Sequence, residues 1–229
     1  MLTGVTSAPE SALITSEDGV VLEAKVFRSS GRRHDPHLPA IVIVHQYSVL
    51  GGSQDLMRGI AQRLAAQGHV CVTFNMRGVG ASTGAATITG ESEVKDVIAA
   101  CEWTKSSTKR EYLILVGSSA GAPIAGSAVD QVTGAVGYVG IGYTFGCLTS
   151  IIFGRHYRRI LDSRKPKLFI MGSRDGFTSV RQLRQRVARA QEPCSLHIIE
   201  GPGHFALEGS DYDRLIAGLI HEFVFGIAK

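Results

Sequence analysis

One pentapeptide of this sequence, Gly117-Ser118-Ser119-Ala120-Gly121, combines residue types and a spacing that support nucleophilic chemistry. It follows the apolar run 112–116 and precedes the small-residue stretch 122–129, so the pattern predicts a strand, a tight turn and a helix. In a Gly-x-Ser-x-Gly turn the serine stands in a strained conformation, and the two glycines leave room for the chain to bend. The pattern predicts Ser119 as the nucleophile. Ser118 is the rival, but it does not lie midway between the glycines.

A serine hydroxyl becomes a good nucleophile only when a base takes its proton and a carboxylate orients that base. Two later turns of the sequence supply these groups. Asp175 follows the apolar run 167–171, and His204 follows the run 196–199. Because ligands bind at the carboxyl ends of the strands in open α/β sheets, both side chains are expected at the same edge as Ser119. The sequence therefore predicts a catalytic triad of Ser119, His204 and Asp175.

The tetrahedral intermediate of acyl transfer also needs two hydrogen-bond donors for its oxyanion. The backbone N–H of Ala120, directly after the nucleophile, is the first predicted donor. The second is expected from the loop after the apolar run 40–44, where the N–H of Tyr47 is the predicted donor and Gln46 the alternative. His45 precedes both residues, and we expect it to brace this loop by hydrogen bonding rather than to act as a base.

Aromatic and basic residues follow the predicted strand 135–139. Tyr143 and Phe145 are predicted to bind substrate as the lining of an apolar acyl pocket, together with Gln46 from the oxyanion loop. The basic cluster that comes next has two interpretations, an attraction for an anionic substrate or the solvated face of a short helix, and the second is favoured. Its members are Arg155, His156, Arg158 and Arg159.

Strand and helix patterns alternate along most of the chain. A strand pair is predicted at 12–15 and 20–27, and short apolar runs typical of buried parallel strands recur at 40–44, 70–74, 112–116, 135–139, 167–171 and 196–199. Helical periodicity is found between them, at 54–67, 91–105, 122–129, 180–187 and 212–225. This alternation predicts an α/β fold with a mostly parallel central sheet and helices on both faces.

The length of 229 residues predicts a single domain over 1–229. Within it, residues 1–10 are expected to form a loose N-terminal tail. The stretch 140–166 is rich first in glycine and aromatic residues and then in basic residues. We expect it to be a small cap-like insertion that contains one short helix.

Composition excludes several classes of protein. Apolar residues make up 44% and charged residues 19%, which is unlike a disordered chain or a fibre. No apolar run approaches the roughly 18 residues that a membrane span needs, and the N-terminus lacks a secretory signal pattern. A net charge of +4 is too mild to predict nucleic-acid binding, and the four widely spaced cysteines match neither a zinc site nor a disulfide framework. These features predict a soluble cytoplasmic protein that uses no metal or other cofactor.

The order of these motifs resembles the serine α/β-hydrolase superfamily, and within it the small, dienelactone-hydrolase-like branch without a large cap. The resemblance runs from about Leu13 to Phe225 and includes the turn Arg77-Gly78-Val79-Gly80-Ala81-Ser82, which is similar to a structural turn common in the superfamily. It implies the α/β-hydrolase fold with a minimal cap. The segments 117–126 and 142–146 are also similar to an uncharacterised group of plant hydrolases.

Two departures from the family bear on function. Many relatives carry glycine or proline after the histidine where this chain has Gln46, which leaves the second oxyanion donor open. Dienelactone hydrolases themselves use a cysteine nucleophile where this chain has Ser119, so their substrate is not expected here.

The motifs predict an enzyme, a serine hydrolase of the carboxylesterase or thioesterase type that cleaves a small acyl ester or thioester through an acyl-enzyme intermediate. Two alternatives stay open, because fold does not fix function. One is a serine peptidase or amidase with the same machinery, and the other is a hydrolase-fold binding protein or receptor with little turnover. The expected partner is a small molecule, and the sequence leaves monomer and dimer open.

Overall fold

The computed structural model describes residues 7–30, 37–46 and 51–227, with the backbone alone for 147–152. These residues contain eight strands: β1 (Glu10–Thr15), β2 (Val21–Phe27), β3 (Ala40–Val44), β4 (Cys71–Phe74), β5 (Leu113–Ser118), β6 (Ala135–Ile141), β7 (Lys167–Gly172) and β8 (Cys194–Ile199). They form one sheet in the order β1-β2-β4-β3-β5-β6-β7-β8. The β1–β2 and β2–β4 pairings are antiparallel, and the others are parallel.

The sheet carries a hydrophobic core on each face. In β3, Val42 and Val44 belong to one core and Ile41 and Ile43 to the other, as expected of a strand buried on both sides. The Ile41 face is covered by α1 (Arg58–Ala66) and α6 (Ser210–Ile227). The Val42 face is covered by α2 (Glu91–Thr108), α3 (Gly121–Ala128), α4 (Cys147–Asp162) and α5 (Val180–Val187). The prediction of an α/β fold with a mostly parallel sheet and helices on both faces is confirmed.

The stretch 140–166 differs from its prediction as a cap-like insertion. Its first residues complete β6, and α4 then fills most of the chain up to the start of β7. Because β6 and β7 are parallel neighbours, the chain must cross over between them, and α4 is that crossover helix. Phe153, Tyr157 and Ile160 are buried in the sheet core, so α4 is part of the α/β layers rather than a cap.

The other differences concern the ends of elements. Glu10 pairs with Val26 and so begins β1 inside the predicted tail, whose residues 1–6 lie outside the described residues. The predicted helix 54–67 is a short 3-10 turn, Gln54–Met57, followed by α1. None of the helices in the described ranges combines the length and apolar character that a membrane crossing requires.

A buried ion pair fixes the turn after β4. The Arg77 guanidinium donates from Nη2 to Asp96 Oδ1 at 2.7 Å and from Nη1 to Asp18 Oδ2 at 3.0 Å. The Asp96 side chain is fully buried, and the hydrogen bond from Arg77 is the main cause that lowers the pKa of Asp18 to about 2. Arg77 thus ties this turn to α2 and to the β1–β2 turn. This is a structural role, as the resemblance implies.

Candidate active site

Ser119 stands in the sharp turn between β5 and α3. Its φ of 53° lies in the left-handed region, which is costly for a residue with a side chain. The flanking glycines allow the turn to close: a Cβ on Gly121 would lie 1.9 Å from the carbonyl oxygen of His45, and one on Gly117 would lie 2.6 Å from the Cα of Ala122. Glycine is therefore the residue that fits at both positions, and the turn places the Ser119 hydroxyl at the carboxyl edge of the sheet.

Two further strand ends place their side chains next to this hydroxyl. Asp175 follows β7, and His204 follows β8. The Ser119 Oγ lies 2.7 Å from His204 Nε2, and His204 Nδ1 lies 2.6 Å from Asp175 Oδ2. The histidine side chain is 4% exposed and the aspartate side chain is fully buried. The structure therefore brings the three predicted residues together in one hydrogen-bonded chain.

Asp175 is held by the backbone as well as by the histidine. Its Oδ1 accepts hydrogen bonds from the N–H groups of Phe177 and Thr178 at 2.8 and 2.9 Å. Burial raises the pKa of Asp175, but the hydrogen bond and charge of His204 and the two backbone donors outweigh burial and hold it below its usual range. Because an ionised carboxylate only accepts, Nδ1 of His204 carries a proton and Nε2 is left to accept from the serine hydroxyl.

The sequence reasoning missed several residues that surround His204. Gly142 has a φ of 56°, and a Cβ there would lie 3.2 Å from the imidazole Cε1. The ring centroids of Phe177 and Phe205 lie 4.6 and 5.4 Å from the imidazole centroid. Glu208 places its Oε1 3.9 Å from Nε2, and burial raises the pKa of this carboxyl. The available signal was proximity along the chain, since both phenylalanines closely follow a predicted triad residue.

Of the two predicted oxyanion donors, Ala120 is among the described residues and Tyr47 is not. Ala120 is the N-cap of α3, so its N–H belongs to a helix N-terminus, where partial positive charge favours an anion. His45 Nε2 accepts from the N–H of Met76 at 3.0 Å, and Nδ1 donates to the carbonyl oxygen of Gln46. Burial lowers the pKa of His45 to about 4, so a neutral His45 braces the loop. Tyr47 lies outside the described residues, and its N–H stays a predicted donor.

Gln46 contacts both Ser118, at the end of β5, and Glu208, in the segment after His204. It is buried, its Nε2 donates to the Ser118 Oγ at 3.3 Å, and its hydrogen bond to Glu208 partly offsets the burial that raises the pKa of that carboxyl. The Gln46 Oε1 has no hydrogen-bond partner among the described residues. Ser118, the rival nucleophile, is therefore a buried partner of Gln46, whereas His204 contacts Ser119.

Tyr143 and Phe145 do not line an open acyl pocket, which corrects their predicted placement. Their exposed fractions are 0% and 2%, their rings stack with centroids 4.0 Å apart, and both pack against Phe169. Thr178 accepts from the N–H of Phe145 and donates to the carbonyl oxygen of Tyr143. The physical reason is the burial of aromatic surface, which draws both rings into the core behind the site.

The basic residues of α4 mostly face solvent. Arg155, Arg158 and Arg159 are exposed, and Arg159 pairs with Glu91 at 3.3 Å. His156 is buried and forms hydrogen bonds with both ring nitrogens. This arrangement agrees with the favoured interpretation of a solvated helix face. Among the described residues, no group of three or more His, Cys, Asp and Glu side chains is arranged to hold a metal ion.

Solved structures with the same fold come from several organisms. An α/β serine hydrolase homologue from Coxiella burnetii is 25% identical, with a TM-score of 0.76 over 95% of this chain and 97% of its own. A serine hydrolase without a lid from Xanthomonas campestris is 21% identical, with a TM-score of 0.78 over 95% and 94% of the two chains. An esterase from Pyrococcus furiosus is 19% identical, with a TM-score of 0.78 over 97% and 92%.

This fold, together with the family model that the sequence matches, places the protein among the α/β serine hydrolases. The sequence matches the family model described as X-Pro dipeptidyl-peptidase (S15 family) over residues 18–151. Because the match covers more than half of the chain, the protein belongs to the S15 family. The matched segment includes Ser119 and ends before Asp175 and His204. No curated protein matches the sequence, and the likeness to plant hydrolases stays a prediction.

Proposed function

We propose that the protein hydrolyses a carboxylic ester or thioester of a small acyl group, with Ser119 as nucleophile, His204 as general base and Asp175 as the residue that orients the histidine. The observation that carries this proposal is the 2.7 Å contact between the Ser119 Oγ and His204 Nε2. A general base must lie within about 2.6–3.2 Å of the atom whose proton it takes, and this contact satisfies that requirement.

The reaction proceeds in two halves. The Ser119 Oγ attacks the acyl carbon while its proton passes to His204 Nε2, and the Asp175 carboxylate stabilises the imidazolium that forms. The N–H of Ala120 holds the oxyanion with a second donor from the loop after β3, for which Tyr47 is the proposed residue. As the intermediate collapses, the leaving group departs with the proton from Nε2. Water then attacks the acyl-enzyme by the same route and releases the acid.

Gln46 is the proposed polar contact for the substrate. Its Oε1 is buried and unpaired among the described residues, and a buried acceptor without a partner costs about 1–3 kcal/mol. A hydrogen-bond donor on the substrate would satisfy this oxygen. Tyr143 and Phe145 act through packing behind the site rather than by contact with the acyl group.

Labelling by a fluorophosphonate probe tests the triad. The native protein should be labelled, whereas Ser119→Ala and His204→Ala should not be. Ser118→Ala is the matched control because it removes the neighbouring hydroxyl, and it should retain labelling. If the folded native protein is not labelled, the catalytic proposal is overturned, and a hydrolase-fold binding protein becomes the leading interpretation.

Hydrolysis of peptides is the second candidate function, and the description of the matched family favours it. The same nucleophile and base cleave amides, so the site alone does not separate the two reactions. Comparing p-nitrophenyl acetate with Gly-Pro-p-nitroanilide does separate them. The ester proposal expects kcat/KM for the acetate to exceed that for the anilide. The reverse preference, lost in Ser119→Ala, would establish a dipeptidyl-peptidase.

A further inference from the structure

Two exposed aromatic side chains flank His204 where the proposed active site meets solvent. Phe177 is 41% exposed and Phe205 is 70% exposed. Their rings meet edge to face, with centroids 5.6 Å apart and planes at 88°, and both contact the imidazole ring. Aromatic surface left in water often marks a binding site, because its burial against a ligand is favourable. We call Phe177 and Phe205 the aromatic pair.

The chemistry of the proposed reaction determines which part of a substrate reaches the aromatic pair. The leaving-group oxygen takes its proton from His204 Nε2, so it must come within hydrogen-bond distance of that nitrogen. The acyl carbon is bound to Ser119, and its oxygen points toward the N–H of Ala120. The remainder of the leaving group therefore extends past His204, where the aromatic pair lies.

The distribution of aromatic surface supports the same assignment. Tyr143 and Phe145 are buried in the core and offer almost no surface to a ligand. Among the described residues near the triad, the accessible aromatic surface is that of the aromatic pair, on the His204 side. In the described part of the site, apolar contacts with a substrate would therefore be made to its leaving group rather than to its acyl group.

The Glu208 carboxyl group beside His204 restricts the leaving group further. Glu208 places a carboxyl oxygen 3.9 Å from Nε2, and its side chain is only 16% exposed. In its carboxylate form, Glu208 would repel a negatively charged leaving group at this partly buried position, which is unfavourable. An uncharged leaving group avoids this repulsion.

We infer that Phe177 and Phe205 form the leaving-group subsite, and that the substrate is an ester of an uncharged apolar alcohol, preferably one that carries a ring. This inference rests on the proposed esterase function. Aromatic pairs of this kind contribute roughly 2- to 12-fold beyond simple area burial. An ester of a ring-bearing alcohol should therefore exceed its methyl counterpart in kcat/KM by about tenfold.

Benzyl acetate and methyl acetate provide the test. They share an acyl group, and their alcohols have closely similar acidities, so the ratio of their kcat/KM values reports contacts with the leaving group. The native ratio should be about ten, and Phe205→Ala and Phe177→Ala should each move it toward one. Tyr112→Ala is the matched control. Tyr112 is 47% exposed and directly precedes β5, so it lies at the amino end of this strand, opposite the carboxyl end that carries Ser119. This variant should leave the ratio at its native value.

The alternative role of the aromatic pair is to shield the His204–Asp175 hydrogen bond from water. In that case each alanine variant lowers kcat/KM by the same factor for both esters. The ratio of the two kcat/KM values then stays at its native value, which overturns the inference. A native ratio near one overturns it as well. Benzyl alcohol gives a readout without turnover: it should slow fluorophosphonate labelling of the native protein more than that of Phe205→Ala.

Labelling also distinguishes failure of the subsite from failure of the esterase. Suppose that labelling depends on Ser119 but neither alanine variant changes the ratio of kcat/KM for benzyl acetate to that for methyl acetate. The leaving-group subsite is then refuted, and the proposed nucleophile stands. If the folded native protein is not labelled at all, both the esterase proposal and the leaving-group subsite are refuted.

Discussion

Replacing Asp175 with asparagine should lower the rate of catalysis about 10⁴-fold without unfolding the protein. The Oδ1 atom of Asp175 accepts two backbone hydrogen bonds, from Phe177 and Thr178, at 2.8 and 2.9 Å. An asparagine must keep its oxygen at that position, because its NH2 group donates and would face two N–H groups. The NH2 group is then placed against His204 Nδ1, across the contact that now measures 2.6 Å.

The expected loss follows from the tautomer of the histidine. Facing a donor, Nδ1 must accept, so the single proton of the neutral imidazole moves to Nε2. That nitrogen then donates to Ser119 and is no longer available to take the serine proton across the 2.7 Å contact. The equivalent substitution in a serine protease of another fold lowers kcat about 10⁴-fold. We expect a loss of that order here, which corresponds to about 5 kcal/mol of transition-state stabilisation.

The assay combines kcat/KM for p-nitrophenyl acetate, the rate of fluorophosphonate labelling and urea unfolding. The asparagine variant keeps both backbone hydrogen bonds, so its free energy of unfolding should change by no more than about 1–2 kcal/mol. Asp175→Ala also loses the two backbone bonds and should be the less stable variant. A folded asparagine variant with kcat/KM within about tenfold of native would refute the tautomer argument.

Other predictions concern the surroundings of the triad and the ionisable core. Gly142→Ala should lower kcat/KM about tenfold, because its Cβ would press on His204 from 3.2 Å and its φ of 56° strains a residue with a side chain. Arg77→Met should lower the free energy of unfolding, measured in urea at neutral pH, by about 3–5 kcal/mol, because the buried Asp96 carboxylate loses its partner. Lowering the pH from 6.5 to 4 should remove about 3 kcal/mol of stability through His69, since burial holds its folded pKa at about 4 and the unfolded chain binds the proton first. Urea unfolding across this range should show a shallower pH slope for His69→Gln, which does not titrate.

Each of these predictions has a contrary outcome. A native rate in Gly142→Ala would mean that the imidazole has room to move without losing its contact with Ser119. A loss below about 1 kcal/mol in Arg77→Met would mean that water or a neighbouring group solvates Asp96. Equal pH slopes for the native protein and His69→Gln would mean that the folded protein protonates His69 as readily as the unfolded chain does.

The sheet and the placement of the three candidate site residues could be predicted from local sequence because the signals were strong and short in range. The run Ala40–Val44 is β-branched and bounded by polar loops, and it forms β3 with the predicted ends. Ser119, Asp175 and His204 each follow such a run, and the rule that strand ends meet at one edge places them together without knowledge of side-chain packing.

The failures share a physical cause, which is that they depend on tertiary neighbours. Nothing local to 140–166 reveals that β6 and β7 lie side by side, which makes α4 a crossover helix rather than a cap. The burial of Tyr143 depends on the partner ring of Phe169 far along the chain. Gly142, which follows β6, lies against His204, which follows β8, only once both strands have joined the sheet, so no spacing rule indicated this contact.

Among the described strands, β8 is the last along the chain and lies at one edge of the sheet. This position affects when, during protein synthesis, the proposed active site can form. Ser119 precedes His204 by 85 positions. As the chain leaves the ribosome, β5 and its serine emerge long before β8, and until β8 pairs with β7 the hydroxyl lacks the proposed base, His204. In the proposed mechanism, a nascent chain, or one interrupted before β8, therefore carries an unactivated serine, and hydrolysis begins only after β8 has paired with β7 and His204 lies beside Ser119.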